Sequence, residues 1–315
     1  MTIQQFKYVQ AVVELKNFEA AAEKCFVTQS TLSTMISRLE NEIDIKIFNR
    51  KTKPVSITSE GEQLIKRFRI INNEIDSLKN MIQEMKGEIV GEVKIGIIPT
   101  IAPYLLPLFL TAFAEKFPKV KIVVREMTTD QIQQELKIRK LDIGILALPL
   151  VDEELDELEL FTEPFLLYDC TGEKSNEKVA LESLNYSKVC LLQEGHCLRT
   201  QVQEICELSA KLTTQDVNFE IESGSMDSLL KITKIRKGIT IIPHLATLDL
   251  REEEKNQLAY FQEPVPVRKV GLVTNKFFVK KKLLNKLYEV ILASVKGLIP
   301  QVDQQKTIKP LPSNH

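Results

Sequence analysis

At 315 residues, 43% hydrophobic and 27% charged, the chain has the composition of a soluble globular protein and the length of two or three domains. A net charge of −1 excludes a global basic field, so any contact with nucleic acid must come from a local surface. Five irregularly spaced cysteines and three histidines supply no C-x-x-C pair, no H-E-x-x-H and no disulfide framework, so no metal and no cofactor is expected. No apolar run reaches the ~18–20 residues of a membrane span, and the first residues lack the apolar core of a signal peptide. A cytoplasmic protein with no membrane partner is the expectation.

Phe6, Val9, Val12, Val13 and Phe18 recur at helical spacing and predict a buried first helix. Ala20 to Lys24 is a short run of helix formers that breaks at Cys25-Phe26-Val27. Thr28 can cap a further helix from Gln29 to about Asn41. Leu32, Ile36, Leu39 and Ile43 form its inward stripe, and Gln29, Ser30, Ser33, Thr34, Ser37 and Arg38 face outward. A short helix, a tight turn and a second helix lined with hydroxyls and amides is a helix-turn-helix arrangement, although any amphipathic helix shows a polar face. The outward side chains suit phosphates and base edges in a major groove. Ile47 to Ile57 reads as a small hairpin with Arg50, Lys51 and Lys53 at its tip, a wing for the DNA backbone.

Ser59 and Glu62 are expected to form a capping box. Leu64, Phe68, Ile71, Ile75, Leu78, Ile82 and Met85 then alternate spacings of four and three, the period of a coiled coil. Dimerisation through this helix, presenting two recognition helices to a two-fold DNA site, is favoured over an intramolecular core helix.

From Val93 onward, strand and helix patterns alternate, which predicts parallel sheets covered by helices. Strands are expected at Val93–Ile98, Lys121–Glu126 and Leu141–Leu146, then at Phe165–Tyr168, Lys188–Leu192, Phe219–Ile221 and Ile239–Pro243. Sheets of this kind bind ligands at the carboxyl ends of their strands, which draws attention to Pro99-Thr100. Arg268–Thr274 and a last helix from Lys282 are expected to return to the first half. The fold class is therefore an α/β regulatory domain of two subdomains resembling periplasmic binding proteins. It follows an α-helical winged helix-turn-helix domain (1–58) and a linker helix (59–90). The regulatory domain spans 91–300, with subdomain I about 91–163 and 266–300 and subdomain II about 164–265. Residues 301–315 are expected to be a flexible tail.

Gly195-His196-Cys197-Leu198-Arg199, with Cys206 nine residues on, puts one thiol at a helix start and a second on the same helix. Helix-end amides, Arg199 and His196 are expected to lower the Cys197 pKa. Cys206, beside the stripe Leu198, Val202 and Ile205, is expected to be buried. Nine residues of intact helix separate the pair by about 13–14 Å along the axis, whereas a disulfide needs Cα atoms within about 7 Å. Either both are small core side chains, or they form a switch in which the helix melts and a disulfide closes.

Asn17 to Lys24, Val27 to Ser33, Ile36, Arg38-Leu39-Glu40 and Phe48-Asn49-Arg50 together resemble the DNA-binding domain of LysR-type transcriptional regulators. Thr31 and Asp44 depart from that pattern without touching the outward face. The segment Leu191 to Arg199 with Cys206, and Gly96 to Thr100, Pro103 to Pro107 and Lys140-Leu141-Asp142, resemble the hydrogen-peroxide-sensing members of the family. That resemblance implies a non-enzymatic regulator with Cys197 as peroxidatic thiol and Cys206 as resolving thiol. It further implies a peroxide pocket of Thr100, Thr129, His196, Arg268 and Phe219, a tetramer, promoter DNA as partner and contact with RNA polymerase. Thr200 and Asn218 stand where those members carry an aspartate and a histidine. The competing expectation is a regulator of the same family that answers a small metabolite held between the subdomains.

Overall fold

In a computed structural model of the chain, residues 1–85, 89–150, 152–172, 178–193, 195–206 and 224–310 are described. They fall into two units, Met1–Glu88 and Ile89–His315.

In the first unit, α1 (Ile3–Leu15), α2 (Phe18–Lys24) and α3 (Gln29–Ile43) precede a two-stranded wing, β1 (Phe48–Asn49) and β2 (Ser56–Ile57). The long helix α4 (Ser59–Met85) follows. Each short helix starts where a side chain can replace a missing helical acceptor: Thr2, Asn17 and Thr28 cap α1, α2 and α3. Val9, Val12, Ala21, Ala22, Leu32, Ile36, Leu39 and Ile47 fill the core. The α4 seam divides. Phe68 is buried and stacks on Phe6 with ring centroids 4.3 Å apart, and buried Asn72 donates to Gln10. Ile71, Leu78, Ile82 and Met85 stay exposed. The first part of the seam thus serves this unit's own core, and only the rest presents apolar surface.

The second unit contains β3 (Gly91–Ile97), α5 (Ala102–Lys116), β4 (Val120–Glu126), α6 (Thr129–Lys137) and β5 (Ile143–Leu148). Then come β6 (Leu155–Asp169), α7 (Cys197–Cys206), α8 (Met226–Ile235), β7 (Ile239–Pro243) and the short α9 (Glu252–Lys255). It closes with β8 (Leu258–Tyr260), β9 (Val265–Asn275), α10 (Lys281–Val295) and β10 (Gln305–Thr307). The strand order is β4-β3-β5-β9-β6-β7. β3 runs parallel to β4 and β5, but β9 is antiparallel to both β5 and β6. The sheet is therefore mixed, not parallel, because the returning strand β9 enters from the other subdomain.

β6 joins the subdomains. Leu155–Pro164 pair with β9, while Phe165–Asp169 pair with β7. One hydrophobic core gathers Ile95, Ile97, Phe109, Ile145, Leu272 and Ile291; the other gathers Phe165, Tyr168, Leu198, Val202, Ile205, Ile241 and Phe261. Close approach of α6 to the sheet requires glycine: a Cβ at Gly144 lies 2.6 Å from Ile132 Cγ2.

Two further expectations are corrected. Lys188–Leu192 is not a continuous strand; after a 3-10 turn at Tyr186–Lys188 it makes only isolated bridges, at Val189, which pairs with Ile239, and at Leu192. The tail after Pro300 is not loose through residue 310. β10 pairs with Val265–Val267, and Ile308 is fully buried in the second core. One apolar residue in a polar stretch supplies that anchor. The strand expected at Phe219–Ile221 lies outside the described residues.

Candidate functional site

Two surfaces collect the residues singled out by the sequence. In the first unit Thr28, Gln29, Ser30, Thr34 and Arg38 are exposed along α3, and Lys51 and Lys53 are exposed on the wing. Arg50 is not free at the wing tip. Its guanidinium donates to Ser33 Oγ and Ser37 Oγ, both at 2.9 Å, and to Glu40 Oε2 at 3.2 Å. It also lies 4.9 Å from the Phe18 ring centroid. Glu40, buried, accepts from the backbone amides of Ile47 and Phe48 through Oε1. Arg50 and Glu40 therefore fasten the wing to α3 and leave Ser33 and Ser37 half-covered. Glu40 was visible in the sequence as a charge four residues after Ile36 on the apolar stripe. Arg50→Ala is expected to lower the stability of the full-length protein by about 1–2 kcal/mol in denaturant unfolding, since it strips a donor from a buried carboxylate.

The second surface lies where the two subdomains meet. Gly195 adopts φ 87°, a left-handed turn suited to glycine, and α7 starts at Cys197. Cys197 packs against the first subdomain's core although α7 belongs to the second. Burial pushes its thiol pKa up; the Arg268 guanidinium, the Thr129 hydroxyl and the amides of Leu198 and Cys197 act in the opposite direction. The expected lowering by Arg199 and His196 is not found. Arg199 is turned away, donating to the Leu192 carbonyl at 2.7 Å. His196 is buried, and burial lowers its own pKa, which favours a neutral ring.

Arg268, on β9, is fully buried. Its Nε donates to Glu163 Oε1 at 2.8 Å, and its terminal nitrogens donate to Thr100 Oγ1 and to the Thr100 carbonyl at 3.2 Å each. Glu163, on β6 and equally buried, accepts the Leu245 amide at 2.8 Å through its other oxygen. Thr100 sits at the end of β3, where strand-end geometry pointed. Thr129 begins α6, and among the described residues its buried hydroxyl has no hydrogen-bond partner apart from the thiol. Tyr104 on α5 also feels Arg268, and burial pushes its pKa up to about 12.

Cys197, Thr129, Arg268 and Thr100 are thus brought together from four elements. Glu163 and Tyr104 belong with them and were not singled out for the pocket. The signal for Glu163 was a carboxylate beside the apolar run from Phe165. Phe219 lies outside the described residues. Cys206 ends α7, so unbroken helix separates it from Cys197. Among the described residues no cluster of three metal-binding side chains occurs, and no helix is long and apolar enough to cross a membrane.

Residues 3–62 match the model of the bacterial regulatory helix-turn-helix protein, lysR family, and residues 86–296 match that of the LysR substrate binding domain. The chain belongs to the LysR family. It is a DNA-binding transcriptional regulator and not an enzyme. The DNA-binding transcriptional dual regulator OxyR of Escherichia coli is 33% identical over 310 residues, 97% of this chain and 99% of that protein. The HTH-type transcriptional regulator EstR of Acinetobacter baylyi is 28% identical over 277 residues, 87% of this chain and 91% of its own length. A full-length OxyR variant from Pseudomonas aeruginosa aligns with TM-score 0.75 and 27% identity, covering 93% of this chain and 98% of that one. Reduced OxyR from Porphyromonas gingivalis aligns over 69% of this chain and all of its own, with TM-score 0.60 and 28% identity. The winged helix-turn-helix followed by a regulatory domain of two subdomains agrees with that family.

Proposed function

We propose that this regulator senses hydrogen peroxide at Cys197 and reports it through a reversible Cys197–Cys206 disulfide. The observation that carries the reading is the enclosure of one thiol by Arg268, Thr129 and neighbouring amides at the subdomain seam, on a helix that ends in a second cysteine. In the first step the Cys197 sulfur, as thiolate, attacks one peroxide oxygen. The O–O bond breaks, the departing hydroxide takes a proton to become water, and Cys197 becomes a sulfenic acid. Arg268 and Thr129 supply the positive charge and the hydroxyl that favour charge on sulfur and on the departing oxygen. In the second step the Cys206 sulfur attacks the sulfenic sulfur, the S–O bond breaks and a second water leaves. One peroxide has then gained the two electrons the thiol pair lost.

The distance along α7 requires unwinding between the two steps, and that unwinding is the signal. The exposed Ile71, Leu78, Ile82 and Met85 support dimerisation through α4, within a tetramer, on double-stranded promoter DNA in the cytoplasm, with RNA polymerase as the downstream partner. In this reading residues 1–58 bind DNA, 59–90 link and dimerise, and 91–300 sense.

The test is mass spectrometry of the full-length protein after peroxide, with and without reductant. A Cys197–Cys206 cross-linked peptide, lost on reduction, is expected. Absence of that peptide together with an intact oxidant response in Cys197→Ser would sink the reading. The match to the LysR substrate binding domain then leaves the second one, a small metabolite held between the subdomains with the cysteines incidental.

A further inference from the structure

Phe26 occupies the turn between α2 and α3 with φ 54°, in the left-handed region, and its side chain is 96% exposed. The turn needs a left-handed residue there. It lets the Phe26 amide donate to the Glu23 carbonyl and the Val27 amide donate to the Ala22 carbonyl, both at 3.0 Å, which closes α2 before α3 begins. Glycine meets that need without steric cost, and helix-turn-helix turns commonly use it. A bulky aromatic residue in this conformation is an outlier and strains the backbone.

Among the described residues, nothing in the unit's own packing compensates. The core beneath the turn is filled by Ala21, Ala22, Leu32 and Ile36, all 2% exposed or less, and Phe26 is not among the residues packed on it. A strained residue that stabilises neither turn nor core points outward, to what the unit binds. Phe26 stands two residues before the α3 cap Thr28, and Thr28, Gln29 and Ser30 are exposed as it is, with only the half-buried Val27 between. That is the end of the recognition helix that enters the groove.

We infer that Phe26 is a DNA-contacting residue whose ring lies on the carbon surface of the duplex, deoxyribose rings and thymine methyls, beside the groove that α3 enters. An apolar contact of this kind displaces no counterions. It adds affinity that salt does not screen, unlike Lys51 and Lys53, whose contribution falls as salt rises.

The turn strain makes the test decisive, because glycine at this position moves stability and DNA affinity apart. The full-length protein and its Phe26→Gly, Phe26→Leu and Lys51→Ala variants are titrated across a salt series with a duplex enriched from a random-sequence pool by the wild-type chain. Thermal melting and light scattering are recorded beside each titration. Phe26→Gly is expected to bind roughly tenfold more weakly at every salt with an unchanged salt slope. Its melting temperature should be no lower than wild type and its oligomeric state unchanged. Phe26→Leu is expected to recover most of the affinity, and Lys51→Ala to flatten the slope by about one. Wild-type affinity in Phe26→Gly overturns the inference. So does a loss that tracks a lower melting temperature, a changed slope or a dissociated oligomer.

Discussion

Arg268→Met is expected to destabilise the regulatory unit by about 3–5 kcal/mol, because it leaves the fully buried Glu163 carboxylate without its cation. It is also expected to slow alkylation of Cys197, since Arg268 is the cation that opposes the effect of burial on that thiol. Glu163→Gln removes the opposite charge and also destabilises, because one amide oxygen cannot accept from both Arg268 and Leu245. Its effect on the thiol has the other sign. With its counter-charge gone, Arg268 draws the Cys197 pKa down, and the pH midpoint of alkylation falls. Two destabilising substitutions that move one midpoint in opposite directions separate electrostatics from loosened packing. Parallel shifts in both variants would contradict the account.

Cys197 and His196 contribute to the pH dependence of stability with opposite signs. Cys197 has its folded pKa raised above the ordinary value of 9.0, so between that value and the raised one the folded state binds more protons than the unfolded state. Its contribution is complete below the ordinary thiol range and is lost as pH climbs through the folded value. His196 works from the acid side. Its folded pKa lies below 6.5, so its contribution is present above that value and fades as pH falls through the lowered one. Urea unfolding across pH is expected to show both limbs, the alkaline one made shallower in Cys197→Ser but not removed, because burial also raises the Cys170 thiol and the Tyr104 hydroxyl.

The helices of the first unit were readable because each carries a cap and an apolar stripe in local sequence. The site was harder to read. Thr100 and Arg268 stand 168 positions apart and meet only because β9 returns beside β5. Local pattern suggested Thr100 through its strand end, whereas Arg268 and Thr129 came from the family resemblance. Glu163 escaped because a carboxylate beside an apolar run reads as the solvent side of an alternation, whereas Glu40 stood on the apolar stripe of α3; for both, only tertiary structure supplies the buried partners. Arg199 shows the converse error. Nearness in sequence suggested influence on Cys197, but its direction along α7 sends it to the Leu192 carbonyl. The mixed sheet was missed because strand spacing records which elements recur, not where the last strand inserts.

Ile308→Ala is expected to cost about 2–5 kcal/mol, as for other large-to-small changes at fully buried positions. The consequence reaches α7. The Ile308 amide donates to the Val267 carbonyl, and its own carbonyl accepts from Gln201 Nε2 at 3.1 Å, so the terminal segment spans from β9 to the middle of α7. The Ile308 side chain shares a core with Leu198, Val202 and Ile205, the buried face of the same helix. Anything that loosens the segment makes unwinding of α7 less unfavourable. If disulfide formation is limited by that unwinding, Ile308→Ala should form the Cys197–Cys206 bond faster than wild type at equal peroxide. Its first step, read as sulfenic acid in Cys206→Ser with and without Ile308→Ala, should keep its rate. The two rates distinguish a helix that must open from a thiol that must react. Disulfide formation at the wild-type rate in a destabilised Ile308→Ala protein would show that α7 opens without the terminal segment's release. Acceleration of the disulfide step alone would identify the segment as the clasp whose strength sets how readily the switch responds.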